Sequence, residues 1–481
     1  MVQKSQPITL IWFRRDLRLS DHTPLIKALK HAKENDGVIL PLYILDTLSP
    51  KTIKLGSASK WWLHKSLVDL QASLKQRGSE LLLRSGPAVD VIRELTNEVT
   101  INAIYFHHSV LPGEGEVEND IANLCQEKSI DCKRFKGELL FQPNTIKTGS
   151  NTPYKVFTPF WRACLQQDPP SKPIVAPKQI PSPKQFPNSE VLESWNLLPT
   201  NPNWASGFEE RWQPGESNVS EVVRIFTSQA MADYKKMRDY PAISGTSKLS
   251  PYLTFGNISI RELWHAADGK EGADFYQREL GWREFCYHLL SHWPEMVEEP
   301  FQEKFKTFTW ENNPELLKAW QRGKTGYPII DAAMRQLWQT GWMHNRLRMI
   351  VGSFIVKNLR QHWKAGADWF WDTLLDADLA NNTGGWQWVA GTGADAAPYF
   401  RIFNPVTQSE KFDKEGEFIR EFVPELKALP NKYIHNPSEA PKEILDQAGV
   451  ILGETYPHAI VDLKESRQKA LDAYTKLGQS E

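Results

Sequence analysis

The connector that divides this chain reads PPSKPIVAPKQIPSPKQFP and occupies residues 169–187 of 481. Its seven prolines fix φ and lack a backbone N–H, so this stretch can form neither a helix nor a central strand. We predict an extended segment that crosses the surface of the first domain and continues to about Gly215. The expected domains are residues 1–135 and residues 219–481, joined by a linker over residues 136–218.

Short apolar runs alternate with helical patterns before this connector. The apolar runs lie at 8–13, 37–44, 80–84, 103–106 and 132–135, and the amphipathic patterns at 24–33, 59–77, 88–96 and 116–127. This alternation predicts parallel βαβ units and a doubly wound sheet, which binds ligands at the carboxyl ends of its strands. No GxGxxG motif follows the first run, where the sequence reads WFRRDLRLSD. Its alternating Arg and Asp residues favour internal salt bridges at the strand end, with phosphate binding as the alternative.

The sequence after the connector has the period of a helix. From Val219 onward apolar residues recur at three- and four-residue intervals, most clearly over residues 327–359, and few strand signals remain. The predicted fold class is therefore an α/β domain followed by an all-α domain.

Composition limits the function classes. The net charge of −1 gives no overall attraction to nucleic acid, so any DNA contact requires a local basic patch. The four cysteines suit free thiols in a reducing compartment, and the N-terminus has no signal-peptide pattern, so we expect a cytoplasmic protein without a membrane span. Hydrolase and metalloenzyme motifs are absent from the sequence, and we expect no metal site. The 19 tryptophans favour stacking sites or electron transfer.

Residues 375–404, LDADLANNTGGWQWVAGTGADAAPYFRIFN, combine acids, amides, glycines and two tryptophans. One interpretation is a pocket for a planar ligand, in which polar groups reach the ligand's edge and glycines let the backbone approach it. The other is a loop between two helices with Trp as filler. Composition alone leaves both open.

Three further segments contain candidate ligand residues. GTSKLS at 245–250 offers hydroxyl and N–H groups for a phosphate, or ordinary helix caps. Glu279, Trp282 and Arg283 share a helix face, which suits either a bound nucleobase or an i,i+4 ion pair beside a buried indole. In GWMHNRLRM at 341–349, Asn345 shares a face with apolar side chains and would need buried partners.

Together these motifs closely resemble the photolyase/cryptochrome flavoproteins along almost the whole chain. WFRRDLRLSD, YKVFTPF, GTSKLSPYL, ELGWREF, TGYPIIDAAMRQL, GWMHNRLRM, DADLANN, GWQW and YFRIFNP stand in the family's order. The resemblance implies an α/β antenna domain, a long linker and a helical domain that binds FAD. It also implies a second antenna chromophore, which could be a folate, a deazaflavin or another group, because Pro112 and Gly113 stand where folate-binding members carry an Asn-Glu pair.

Within the family, the motif variants resemble photolyases that repair cyclobutane pyrimidine dimers. Asn345 and Met349 differ from the histidines of (6-4) photolyases, and Trp282 and Trp388 resemble the indoles that flank a flipped-out dimer. The alternatives are a blue-light receptor of cryptochrome type without repair activity, and a (6-4) photolyase. The implied partner is DNA that contains pyrimidine dimers, and we expect a monomer with no obligate protein partner.

The resemblance also implies roles for individual residues. Expected to contact FAD are Tyr234, Thr246, Ser247, Lys248, Leu249, Ser250, Tyr276, Glu279, Arg283, Asn345, Arg348, Asp376, Ala377, Asp378 and Asn382. Expected to contact DNA or the dimer are Arg238, Trp282, Asn345, Arg346, Met349, Trp388 and Arg401, with Lys248 a further candidate for a phosphate. Glu279, Asn382 and Met349 are the implied catalytic residues, and Trp310, Trp363 and Trp386 the implied electron relay. Asn382 matches the residue that faces flavin N5, and Arg348 is expected to pair with Asp376.

Overall fold

A five-stranded parallel sheet forms the centre of the N-terminal domain. The computed structural model describes residues 6–49 and 52–477. The strands are β1 Ile8–Phe13, β2 Val38–Leu45, β3 Leu82–Ser85, β4 Ile101–His107 and β5 Asp131–Phe135, in the order β3-β2-β1-β4-β5. β1 and β2 are almost wholly apolar because helices cover both faces of the sheet. These helices are α1 Thr23–Glu34, α2 Ser57–Lys75, α3 Ala88–Glu98 and α4 Glu114–Glu127.

The proline-rich connector crosses the first domain, as expected. Its backbone hydrogen-bonds to three separate parts of that domain: Asp21 N donates to Ile174 O, Ile39 N to Pro181 O and Ile180 N to Arg77 O. The segment before it is not purely extended, because α5, Phe157–Leu165, buries Phe157 and Trp161 against the helical domain.

The second domain is helical. Its helices are α6 Ser206–Glu209, α7 Glu216–Ile225, α8 Tyr234–Met237, α9 Ser250–Thr254, α10 Ile260–Ala267, α11 Ala273–His292, α12 Pro314–Gln321, α13 Pro328–Thr340, α14 Asn345–Ser353, α15 Trp363–Thr373, α16 Leu379–Ala390, α17 Pro405–Phe412, α18 Glu417–Phe422, α19 Asn431–Ile434, α20 Lys442–Ala448 and α21 Leu463–Leu477. A π-helical turn, Phe354–Asn358, continues α14. In the described part of the chain, no helix is both long and apolar enough to cross a membrane.

The amphipathic segment over residues 327–359 is not continuous. Gly341 has φ +66° and ends α13, and a Cβ at this position would lie 2.6 Å from Leu375 Cγ. A left-handed glycine cap is a common helix end. His344 then caps α14 by accepting from Arg346 N. This break sets Asn345 at the start of a new helix.

The two domains meet at the loop that follows β1. Leu17 N donates to Phe255 O, and the buried Arg18 donates through Nη1 to Gly256 O at 3.1 Å. Gly256, at φ +64°, leaves room for this approach, because a Cβ there would lie 2.5 Å from Asp16 Cα. The loop therefore contacts the helical domain directly, and these bonds fix the position of the loop against that domain.

Candidate cofactor and nucleic-acid site

Asp376 joins three segments of the helical domain just before α16. Its carboxylate accepts from Ser250 Oγ at 2.6 Å and from Arg348 Nη2 at 2.8 and 3.0 Å. The structure thus contains the Arg348–Asp376 ion pair and sets α9 and α14 on one side of the α16 N-terminus. Asp376 is buried, so these partners replace its hydration.

Asp378 caps α16 and connects it to the first domain. Its Oδ1 accepts from Asn381 N at 2.9 Å, and its Oδ2 accepts from Tyr287 Oη at 2.5 Å. Arg15, from the loop after β1, lies 3.6 Å from the same Oδ2. The burial of Tyr287, together with the nearby Asp378 carboxylate, raises the pKa of this phenol well above its usual value, so it acts as a donor.

Asn382 has a fixed amide orientation one turn into α16. Its Nδ2 donates to Ala367 O of α15 at 3.0 Å. This bond directs the remaining oxygen, Oδ1, away from α15, where it can accept from a ligand N–H.

The two tryptophans of α16 lie on different sides of the helix, as their spacing predicts. Trp386 is buried, with its ring centroid 5.0 Å from that of Phe370. Trp388 instead lines a cavity of about 400 Å³, together with Met349, Arg346 and Arg401. Phe403, Lys236, Asp239, Tyr240, Gln408, Lys411 and Phe412 complete the lining.

A series of aromatic side chains runs from this helix towards the surface. Trp363, at the start of α15, is 1% exposed, and its Nε1 has no hydrogen-bond partner among the described residues. His362 lies between Trp363 and Trp310, with ring-centroid separations of 5.5 and 5.1 Å. Trp310 is partly exposed. The sequence reasoning did not single out His362.

The ion pairing on the α11 face differs from the i,i+4 Glu279–Arg283 pair that the sequence suggests. Glu279 does not pair with Arg283, because it pairs with Arg238, whose Nη2 lies 2.8 Å from Glu279 Oε2. Arg283 instead donates to Glu138 O at 3.2 Å. Trp282 stacks on Phe157 at 3.7 Å with an interplanar angle of 8°. Neither Glu279 nor Trp282 belongs to the cavity lining that includes Trp388.

The hydroxyl-rich loop before α9 has an exposed polar edge. Thr246 and Ser247 are partly exposed, and Lys248 adopts φ +53°. Ser247 hydrogen-bonds the buried Tyr276, whose pKa burial raises. Tyr234 and Tyr276 pack with their ring centroids 5.7 Å apart, and Leu249 is buried beneath the loop. This arrangement leaves hydroxyl, N–H and ammonium groups available to an anionic ligand.

The carboxyl ends of the sheet strands are filled by their own side chains. Arg14 forms salt bridges at the strand ends, at 2.8 Å to Glu114 and 2.7 Å to Glu118, so its partners come from α4 and not from the aspartates of its own loop. The remaining cavity is about 40 Å³, far below the several hundred Å³ that a ligand of chromophore size needs. Asp16 Oδ2 lies 2.9 Å from His22 Nε2 and 2.7 Å from His107 Nδ1, which are hydrogen-bond distances.

Comparison with known proteins agrees with this architecture. Residues 9–182 match the family described as DNA photolyase, and residues 275–476 match the FAD binding domain of DNA photolyase. The deoxyribodipyrimidine photo-lyase of Agrobacterium fabrum is 45% identical over 480 residues, which cover 98% of each chain. A crystal structure of a bacterial class III photolyase from Agrobacterium tumefaciens has a TM-score of 0.95 at 44% identity, covering 100% of this chain and 99% of that chain. Cryptochrome-2 of Arabidopsis thaliana is 33% identical, covering 97% of this chain and 79% of the relative.

The chain belongs to the photolyase/cryptochrome family. Its C-terminal domain is an FAD-binding domain, and FAD is its cofactor. The polar groups fit this cofactor: a polar loop for phosphates, the Arg348–Asp376 pair for polar edges, and the oriented Asn382 amide. The α17 side chains of the Trp388 cavity lie outside the sequence motifs, and only the preceding YFRIFNP motif indicates their position.

Proposed function

We infer that this chain is a photolyase that repairs cyclobutane pyrimidine dimers in DNA under light. The observation that carries the proposal is the cavity of about 400 Å³ in which Trp388 and Met349 lie beside Arg346 and Arg401. An indole provides a stacking surface for a flipped-out base, and guanidinium groups bind the flanking phosphates. This local basic site suits a protein whose net charge is only −1. The similarity to a deoxyribodipyrimidine photo-lyase over 98% of the chain supports the same activity.

The residues around the α16 N-terminus are proposed to hold FAD. Reduced FAD, when bound, supplies the photoexcited electron that splits the cyclobutane ring. Asn382 would present its Oδ1 as an acceptor to the flavin N5–H, since its Nδ2 is engaged by Ala367 O. Hydroxyl and ammonium groups of the loop before α9 bind the phosphates. The further proposed contacts are Tyr234, Thr246, Ser247, Lys248, Leu249, Ser250, Tyr276, Glu279, Arg283, Asn345, Arg348, Asp376, Ala377 and Asp378.

Trp386, Trp363 and Trp310 are proposed to conduct electrons between the protein surface and the cofactor. The support is their arrangement: Trp386 and Trp363 are buried, and Trp310 is partly exposed. A Cβ at Gly366 of α15 would clash with the Trp386 ring, so the absence of a side chain there permits close packing. The apolar surroundings also exclude water from the buried indoles.

Glu279 and Arg238 are proposed to change partners when DNA binds. The two side chains form an ion pair, with Arg238 Nη2 and Glu279 Oε2 2.8 Å apart. Glu279 would then accept from the thymine edge, while Arg238 would bind a phosphate. Trp282 would cover one face of the dimer. Phe157 stacks on the other face of the Trp282 indole and would support it there. Met349 and Asn345 would contact the dimer from α14.

A single assay distinguishes the proposed activity from its alternatives. The FAD-loaded protein is illuminated with oligonucleotides that carry either a cyclobutane dimer or a (6-4) photoproduct, and restored thymines are measured. We expect repair of the cyclobutane dimer alone, with none in the dark. Repair of the (6-4) photoproduct alone would support the (6-4) photolyase, and repair of neither would support a receptor of cryptochrome type.

Several broader features belong to the same proposal. The domain boundaries are proposed at residues 1–135, 136–218 and 219–481. The protein is proposed to be a cytoplasmic monomer without an obligate protein partner. It is also proposed to bind an antenna chromophore, a folate, a deazaflavin or another group, although the 40 Å³ cavity at the strand ends cannot hold one as it stands.

A further inference from the structure

Lys357 is a buried lysine outside the proposed cofactor and DNA contacts, and burial lowers the pKa of its amine to about 7. It lies in the π-helical turn that continues α14, and only 1% of its surface is exposed. Its Nζ donates to Arg401 O at 2.9 Å and lies 5.6 Å from the centroid of the Tyr399 ring. No carboxylate within residues 6–49 and 52–477 pairs with it. Burying this amine with a single hydrogen-bond acceptor costs free energy, and burial disfavours its charged form.

The group that Lys357 contacts belongs to the edge of the Trp388 cavity. Residues 399–404, here called the rim loop, have no regular secondary structure and precede α17. The buried Tyr399 fixes one end of the loop, whereas Arg401 is exposed and Phe403 contributes to the cavity lining. The Arg401 N–H donates to Pro398 O at 2.9 Å within the turn, whereas the Arg401 carbonyl is bonded from a neighbouring element.

Helix α14 and its continuation hold the rim loop at two points. Lys357 binds the carbonyl of Arg401, and Ser353 Oγ accepts from Phe403 N at 3.2 Å. The first turns of the same helix present Arg346 and Met349 to the cavity. One helix therefore sets the spacing between Arg346 on its own surface and Arg401 on the opposite loop.

We propose that Lys357 is a positioning residue for DNA binding: its Nζ–H group holds the rim loop so that Arg401 can bind a phosphate beside the lesion. The bond to the Arg401 carbonyl does not require a charged donor, because an amine and an ammonium both carry N–H groups. The inference rests on the proposed function, since it assumes that the Trp388 cavity receives DNA.

The test compares Lys357→Met, Arg401→Ala and the double variant, all in the full-length FAD-loaded protein. Methionine keeps the length of the side chain but cannot donate. Affinity for a duplex with one thymine dimer is measured from about 50 to 200 mM salt, where each lost phosphate contact lowers the slope of log K against log salt by about 0.9. We expect each single variant to lose about one such contact and roughly tenfold in affinity. The double variant should bind no more weakly than Arg401→Ala.

Two controls separate positioning from general effects. Lys30→Met removes one positive charge from exposed α1, far from the cavity, and should leave the slope unchanged. The repair rate at saturating DNA should remain at the wild-type level in Lys357→Met, because Lys357 does not touch the proposed flavin residues. If Lys357→Met fails to bind FAD, Ser353→Ala removes the second contact to the rim loop and should lower the slope in the same direction.

The outcomes also separate this inference from the proposed function. Wild-type protein that neither binds nor repairs dimer-containing DNA would refute the function itself. A wild-type protein that repairs dimers, together with an unchanged salt slope in Lys357→Met, would refute only the positioning role. Additive losses in the double variant, or an equal loss in Lys30→Met, would likewise overturn it.

Discussion

Replacing Gly366 by alanine tests how closely α15 and α16 pack at the proposed electron relay. An alanine Cβ would lie 2.5 Å from Trp386 Cζ3 and 2.7 Å from Trp386 Cζ2, where carbon atoms normally approach no closer than about 3.5 Å. The ring must therefore move by roughly 1 Å. Overpacking of this kind costs about 1–3 kcal/mol, and the better helix propensity of alanine returns about 0.5–1 kcal/mol. We expect a net loss of roughly 1–2 kcal/mol in the free energy of unfolding.

Denaturant unfolding measures this loss, and the rate of flavin photoreduction by an external reductant measures its effect on the relay. Displacement of Trp386 should slow photoreduction, since electron transfer weakens with distance. Gly115→Ala in α4 is the matched control, because no atom lies within 4 Å of its added Cβ. The free energy of unfolding of that control should rise by about 0.5–1 kcal/mol, and its photoreduction rate should stay unchanged. A Gly366→Ala protein as stable as the control, with wild-type photoreduction, would refute the packing argument.

Three further predictions follow from the site. Trp388→Ala and Trp282→Ala should each weaken binding to dimer-containing DNA by about 1–3 kcal/mol in a titration, and unchanged affinity would remove that indole from the site. Trp363→Phe should abolish most photoreduction but retain repair when the flavin is reduced chemically; normal photoreduction would exclude the relay. Burial raises the pKa of Glu284 from 4.5 to about 7. The folded protein therefore binds this proton more tightly, and the stabilisation that Glu284 contributes should fall by about 3 kcal/mol as pH rises from 4.5 to 7. Glu284→Gln should flatten that profile in urea unfolding, and an unchanged profile would show that another group titrates.

The sequence predicts the fold class well because its signals are local. Strand and helix periods, and the prolines of residues 169–187, each act within a few residues of the chain. The break at Gly341 within residues 327–359 is a left-handed glycine cap, and the Cβ of any other residue there would meet the distant Leu375 side chain. Amphipathic period alone does not reveal such a contact.

The sequence predicts the geometry of the site only for residues that lie on the same helix. The separate orientations of Trp386 and Trp388 follow from their spacing on α16. Arg238 and Glu279 are 41 residues apart, so their ion pair depends on how α8 and α11 pack. The same holds for Lys357, whose bond to Arg401 O spans 44 residues. Tertiary packing decides such partners, and the period and spacing of a sequence do not predict that packing.

The contact between Arg15 and Asp378 limits how this protein can be recombined with its relatives. Asp378 caps the helix that carries Asn382, and one of its partners comes from the other domain. A chimera that takes its sheet domain from another member would need an equivalent cation after the first strand and a loop that clears Gly256. Without them, the exchange would disturb α16, the helix that carries Asn382, even when the two sequences are joined in the linker. The sheet domain and the helical domain are therefore not independently exchangeable units in this chain.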